Sequence, residues 1–207
     1  MGALHWLIDL LKDPGPVIRW GGYPILFAII FAETGALIFF LPGDSLLFVA
    51  GMYAARGDLN IVVLNALLVV AACLGPITSY QVGKVMGPRL FSRPDSFLFK
   101  PKHLEAAQAF YDRHGGKAII LARFMPIVRT FVPVVAGAGR MDYRRYALNS
   151  VIGGVSWIVS MTLLGFFLGR FEWIGKNIEK VIIGIVVLSL IPAFVGWLRQ
   201  RRAASAT

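Results

Sequence analysis

Cysteine, histidine and charge are all scarce in this sequence. It has one cysteine, Cys73, so it can form no intrachain disulfide and no cysteine-based zinc site. Cys73 stands in an apolar run, where a buried packing role is expected. The histidines are His5, near the N-terminus, and His103 and His114, in a polar stretch. None shares a run with the arginines of the apolar segments, and no acidic cluster accompanies them. A lipid phosphatase would need a nucleophile or base beside an oxyanion site, and a metal would need ligands. The expectation is therefore no enzyme, no catalytic residue, no metal and no cofactor, with a proton as the one candidate coupling ion. Charged residues make up 15% of the chain, against about 25% in a soluble domain. The N-terminus lacks a basic region and cleavage pattern around Ala3 to Leu11, so no secretory signal is expected there.

What replaces charge is apolar length. Apolar residues form 57% of the chain, the mean hydropathy is +0.69, and several runs approach or exceed the roughly 18 residues that mark a spanning helix. This predicts an all-α polytopic membrane protein. The formal charge of +10 sits in short segments beside those runs. That placement fits a topology signal and contact with anionic lipid, and no nucleic-acid motif competes with it.

The most informative run is 118–139. It is long enough to cross a bilayer at about 1.5 Å per residue, yet it holds Arg123, Arg129, Pro126, Pro133, Gly137 and Gly139. An arginine near the bilayer centre costs at least about 2.5–3.5 kcal/mol on insertion scales, and each internal proline removes a backbone donor. Broken backbone at membrane depth is tolerated where it is buried in protein or lines a wet cavity.

In chain order, residues 3–12 read as a short interfacial helix with Trp6 at headgroup depth, stopped by Asp13-Pro14-Gly15-Pro16. Residues 23–55 are apolar around a break at Leu41-Pro42-Gly43-Asp44-Ser45. Glu33 lies in the first half, and Leu46 to Ala55 is too short to span alone. Asp44-Ser45 is placed to cap that second half. Leu59 to Val82 predicts a spanning helix, with Gly75-Pro76 as a kink site. Residues 84–117 carry seven Lys/Arg against three Asp/Glu, and Lys102 to His114 predicts a surface helix ending at Gly115-Gly116. Ala147 to Gly169 and Val181 to Leu198 predict further spans, and the tail from Arg199 is basic. Trp6, Trp20, Trp173 and Trp197 sit near run ends, as an aromatic belt predicts. The domain reading is 1–20, a 21–170 core, and 171–207.

Positive loops stay cytoplasmic. That places the tail, 140–146 and 84–117 inside, so 118–139 must enter and return, which Pro126 and Pro133 permit. If 23–55 is re-entrant from the outer face, two broken hairpins of opposite orientation, 23–55 and 118–139, meet near the midplane beside about three spanning helices. Inverted broken elements with a central site are a transporter plan. A weak echo supports it: Pro42 then Val49-Ala50-Gly51, against Pro126 then Val135-Ala136-Gly137. Glycine-lined helices also admit a homodimer.

Two motif blocks occur in order: Glu33-Thr34-Gly35 with Phe40-Leu41-Pro42-Gly43-Asp44-Ser45-Leu46-Leu47, then Arg113-His114-Gly115, Arg123-Phe124-Met125-Pro126-Ile127-Val128-Arg129-Thr130, Pro133, Ala136-Gly137 and Met141, continued by Asn149, Gly153 and Trp157. Over about residues 20 to 170 the chain thereby resembles the DedA family of bacterial inner-membrane proteins, also called the VTT or SNARE-associated-like domain. The resemblance implies two re-entrant hairpins. It also implies lipid translocation, with members linked to undecaprenyl phosphate recycling and to the proton-motive force. It points to Glu33 and Asp44 as the functional acids and to Arg123 and Arg129 as the functional arginines. Eukaryotic relatives look like phospholipid scramblases.

The residues agree in part. Ionised groups in lipid pair or neutralise. Arginine stays protonated, so Glu33 and Asp44 are the members whose charge can change. With both acids ionised the four charges cancel. An arginine-held phosphate makes the cluster negative, and protonating Glu33 or Asp44 restores balance, which would couple lipid binding to proton uptake. An energy-independent scramblase and a proton or cation exchanger are the alternatives.

Overall fold

The computed structural model describes residues 15–35, 43–90 and 115–171, with single positions between 173 and 184. The expected interfacial helix at 3–12, Pro42, the surface helix at 102–114 with His103 and His114, most of the last span and the basic tail lie outside the described residues. Within them the chain is all helix: α1 Gly15–Gly35, α2 Gly43–Ala55, α3 Ile61–Leu90, α4 Gly116–Ala122, α5 Pro126–Ala138 and α6 Tyr143–Leu168.

Local sequence sets several boundaries. Gly22 takes a left-handed conformation (φ 50°) inside α1, just ahead of Pro24; such backbone is open to glycine and strained for other residues. The α3 start is capped by Asn60, whose Oδ1 accepts from the Val62 and Val63 amides at 2.9 and 3.2 Å. The α6 start is capped by Asp142, which accepts from the Arg145 amide at 2.8 Å. In the 118–139 run the helix breaks over Arg123 to Met125. Met125 is extended, as a residue before proline prefers, and Pro126 opens α5. Only Pro126 stands at the break; Pro133 rides inside α5.

Two expected boundaries move. The helix predicted over 59–82 continues to Leu90. Gly83 and Gly87 pack directly on Val134 and Ala138 of α5, and that contact carries the helix past Lys84. The second half-segment of 23–55 starts at Gly43 rather than Leu46. Asp44 is therefore in the first turn of α2 rather than before it.

Among the described residues two apolar helices are long enough to cross a membrane, Ile61–Gly87 and Tyr143–Leu168. They run antiparallel. Asn65 Oδ1 accepts from Thr162, Ala72 lies at Gly154, and the Tyr146 hydroxyl donates to the Pro76 carbonyl at 3.1 Å. Their outer faces expose Val62, Val70, Leu74 and Val85 on α3 and Leu148, Ile152, Leu164 and Phe167 on α6. Apart from Asp44, α2 is buried from Gly43 to Ala54, as expected of a helix apolar all round.

The shorter helices fold back in pairs. α1 runs alongside α3 in the same direction: the Tyr23 hydroxyl accepts from the Asn60 amide at 2.7 Å, and Ser79 donates to the Gly35 carbonyl at 2.6 Å. α2 then returns, from Gly43 beside Glu33 to the turn that leads into α3. The second half repeats this. α4 runs with α6, Gly116 at Asn149 and Ile120 at Gly153, and α5 returns to the start of α6. Each returning helix packs on the long helix of the other half. Gly165 and Gly169 of α6 receive Phe48 and Met52 of α2, and Gly83 and Gly87 of α3 receive Val134 and Ala138 of α5. Gly51 against Thr162 and Gly137 against Tyr80 complete the correspondence. The described helices thus form two three-helix units in opposite orientation, and the Val-Ala-Gly echo marks matching positions.

Candidate functional site

The breaks of the two halves deliver four charged side chains to the interior. Glu33 comes from the last turn of α1, Asp44 from the first turn of α2, Arg123 from the end of α4 and Arg129 from the first turn of α5. Arg129 joins three of them. Its Nη1 donates to Asp44 Oδ1 at 2.7 Å, and its Nη2 donates to Glu33 Oε1. Arg129 and Glu33 are 2% and 0% exposed and Asp44 is 12% exposed. Charges so deeply desolvated need their partners: breaking a buried pair costs about 3–5 kcal/mol.

Arg123 does not join this ion pair. One arginine, Arg129, is shared by the two acids. Arg123 is 3% exposed, so it does not snorkel to the surface. Its Nη2 donates to the Ala72 carbonyl at 3.1 Å and to Ser150 Oγ at 2.7 Å. Among the described residues it has no carboxylate partner. The reason is packing: Gly153 lets α4 approach α6 so closely that the Arg123 stem and Ile120 fill the space a Cβ would take, and the guanidinium is carried to the α3–α6 crossing at Ala72 and Gly154.

Between the two arginines lies a small cavity of about 10 Å³, room for about one water-sized atom group, lined by Ile119, Ala122, Arg123, Arg129, Val132, Pro133, Tyr146 and Ser150. Arg123 Nη1 and Arg129 Nε are buried without a hydrogen-bond partner, as is Glu33 Oε2. Buried polar atoms are nearly always paired, so two orphaned donors on residues lining one cavity point to an acceptor that belongs there. The lining joins these guanidiniums to apolar side chains and the Tyr146 and Ser150 hydroxyls, and an oxygen acceptor, of a water or of an oxyanion, suits guanidinium donors. Among the described residues no group of His, Cys, Asp and Glu could hold a metal.

The remaining expected positions are structural. Gly43 presses on Glu33: a Cβ there would land on the carboxylate. Gly137 lets α5 meet the α3 backbone at Tyr80. Pro126 starts α5 and Pro133 forms part of the cavity wall.

Sequence reasoning did not find Trp157 as part of this site. It is 1% exposed on α6, its Nε1 donates to Asp44 Oδ1 at 2.8 Å, and Arg129 Cζ lies 4.3 Å from its ring centroid. One signal was available. The belt tryptophans sit at run ends, and Trp20 and Trp173 are 86% and 67% exposed, whereas Trp157 is mid-run, where its N–H needs a buried acceptor. Ser150 and the Ala72 carbonyl gave no such signal.

Comparison with known proteins places this geometry. The family model described as the VTT domain matches residues 41–167. Protein DedA of Escherichia coli K12 is 46% identical over 186 residues, covering 88% of this chain and 85% of that protein. An uncharacterized membrane protein of Mycobacterium leprae is 41% identical over 184 residues (89% and 83%). Inner membrane protein YghB of E. coli K12 is 31% identical over 189 residues (91% and 86%). No solved structure matches the chain.

Proposed function

The chain belongs to the DedA family of VTT-domain membrane proteins, and from that premise we propose that it carries an anionic lipid, undecaprenyl phosphate above others, across the bacterial inner membrane, coupled to protons. In this reading each folded-back pair is a re-entrant hairpin, and the two enter from opposite faces. The carrying observation is the pair of orphaned donors, Arg123 Nη1 and Arg129 Nε, on one cavity beside a buried acid pair. A phosphate oxygen between the arginines would satisfy both donors.

The charge arithmetic gives the coupling. Glu33, Asp44 and Arg129 sum to one negative charge, and Arg123 brings the interior to zero. A phosphate adds negative charge, and protonation of one carboxylate offsets it. Lipid binding and proton uptake then favour each other, so a proton gradient biases the direction of lipid movement. The apolar tail needs no protein pocket if it stays in the bilayer beside the exposed apolar faces of α3 and α6.

Binding of undecaprenyl phosphate to the purified protein tests this, with undecaprenol as the uncharged control. A hydrogen bond to a charged group contributes about 1.5–3 kcal/mol, so Arg123→Ala and Arg129→Ala should each weaken binding by about ten- to a hundredfold. Equal binding of undecaprenol, or undiminished binding by both variants, overturns the reading. Transport in proteoliposomes that ignores a protonophore would instead make the protein an energy-independent scramblase.

A further inference from the structure

The two buried carboxylates are not equivalent. Both lie at the start of α2, Asp44 in its first turn and Glu33 against Gly43, so the helix dipole does little to separate them. Their donors do. Asp44 Oδ1 accepts from Arg129 Nη1 at 2.7 Å and from Trp157 Nε1 at 2.8 Å. Glu33 has Arg129 as its side-chain donor on Oε1, while Oε2 is buried without a partner. Asp44 also keeps 12% exposure where Glu33 has none.

We propose that Trp157 is a positioning residue that holds Asp44 as the standing counter-ion of Arg129, leaving Glu33 as the single carboxylate that takes up the proton. The indole acts twice. Its N–H, which does not titrate, gives Asp44 a donor that survives any movement of Arg129. Its ring lies under the guanidinium and keeps the cation near Asp44. An anion in the cavity that draws on Arg129 strips Glu33 of its side-chain donor and leaves Asp44 with one. A carboxylate left in a dry interior with the Gly43 amide alone, and no charged donor, neutralises.

The charged groups that face Glu33 are Arg129 from α5 and Asp44 from α2. Gly75 and Ser79 of α3, which carry no charge, lie against the neighbouring Thr34 and Gly35. Protonation of Glu33 breaks one O–H bond of hydronium and forms one on the carboxylate, leaving water.

The inference rests on the proton coupling proposed above, but its test reads protonation rather than transport. The full-length protein in lipid is titrated by infrared difference spectroscopy, following the C=O band of protonated carboxyl groups. The native protein should show one buried-carboxyl step. Glu33→Gln should abolish it and Asp44→Asn should retain it. Trp157→Phe, which keeps the ring and removes the donor, should add a second step from Asp44. A step lost in Asp44→Asn but kept in Glu33→Gln overturns the assignment. So does a step that survives both substitutions, or a native protein with none. If Trp157→Phe fails to insert, the Glu33 and Asp44 variants still decide which carboxylate titrates. Failure of lipid binding with this titration intact would sink the transport reading alone.

Discussion

Gly43 has no room for a side chain, because the Glu33 carboxylate already occupies the place of its Cβ. Gly43→Ala must push Glu33 off Arg129 or shift the start of α2. The protein should insert normally and lose lipid transport in proteoliposomes by about tenfold or more, the equivalent of roughly 1.4 kcal/mol of misplaced charge; native rates in this variant would show that Glu33 has no fixed place in the mechanism. Arg129→Lys isolates the fork from the charge. A lysine cannot reproduce two directed bonds to two acids, so the unfolding midpoint in detergent should fall, by about 1–3 kcal/mol of lost stability. The presence of Glu33, Asp44 and Arg129 inside apolar runs was legible in the sequence, since such charges must find partners. That Arg123 would leave them for Ala72 and Ser150 was not, because the carbonyl of a residue fifty positions away has no sequence signature.

Between elements, the contact surfaces are built on glycine. α2 meets α6 at Gly51, Gly165 and Gly169, and α5 meets α3 at Gly83, Gly87 and Gly137. At Gly51 and Gly137 an added Cβ would strike backbone atoms of the facing helix, Thr162 and Tyr80, which cannot swing aside. Gly51→Ala and Gly137→Ala should each destabilise by about 1–3 kcal/mol, read as matched drops in the thermal midpoint in detergent. Gly184→Ala, where among the described residues no atom outside its own helix turn lies within 4 Å, should be neutral. Asp142→Ala removes the α6 cap and should cost about 1 kcal/mol without touching the ion pair. Composition located the long helices, but the α3 end was misjudged: Lys84 reads as a loop in a sequence window, while the glycines on either side of it are held by α5.

For the whole molecule, the opposite orientation of the two units makes a statement about sidedness. Lys117 and Arg140 flank the second folded-back pair and are exposed, as is Asp58 at the end of the first. In a Cys73→Ala background, Lys117→Cys and Arg140→Cys should react with a membrane-impermeant maleimide from the same face of the membrane, and Asp58→Cys from the opposite face. Labelling of Lys117→Cys and Arg140→Cys from different faces would make 118–139 a crossing segment and end the re-entrant reading.

Hydropathy, the basic clusters and the misplaced prolines were enough to determine a helical membrane protein with interrupted segments, because the cost of charge and broken backbone in hydrocarbon acts on each segment by itself. Which arginine pairs with the acids, and that a mid-span tryptophan from α6 braces Asp44, depended on contacts between residues far apart in the chain. Those partners are chosen by how closely glycine lets the helices approach, a distance that exists only once the two halves have packed together.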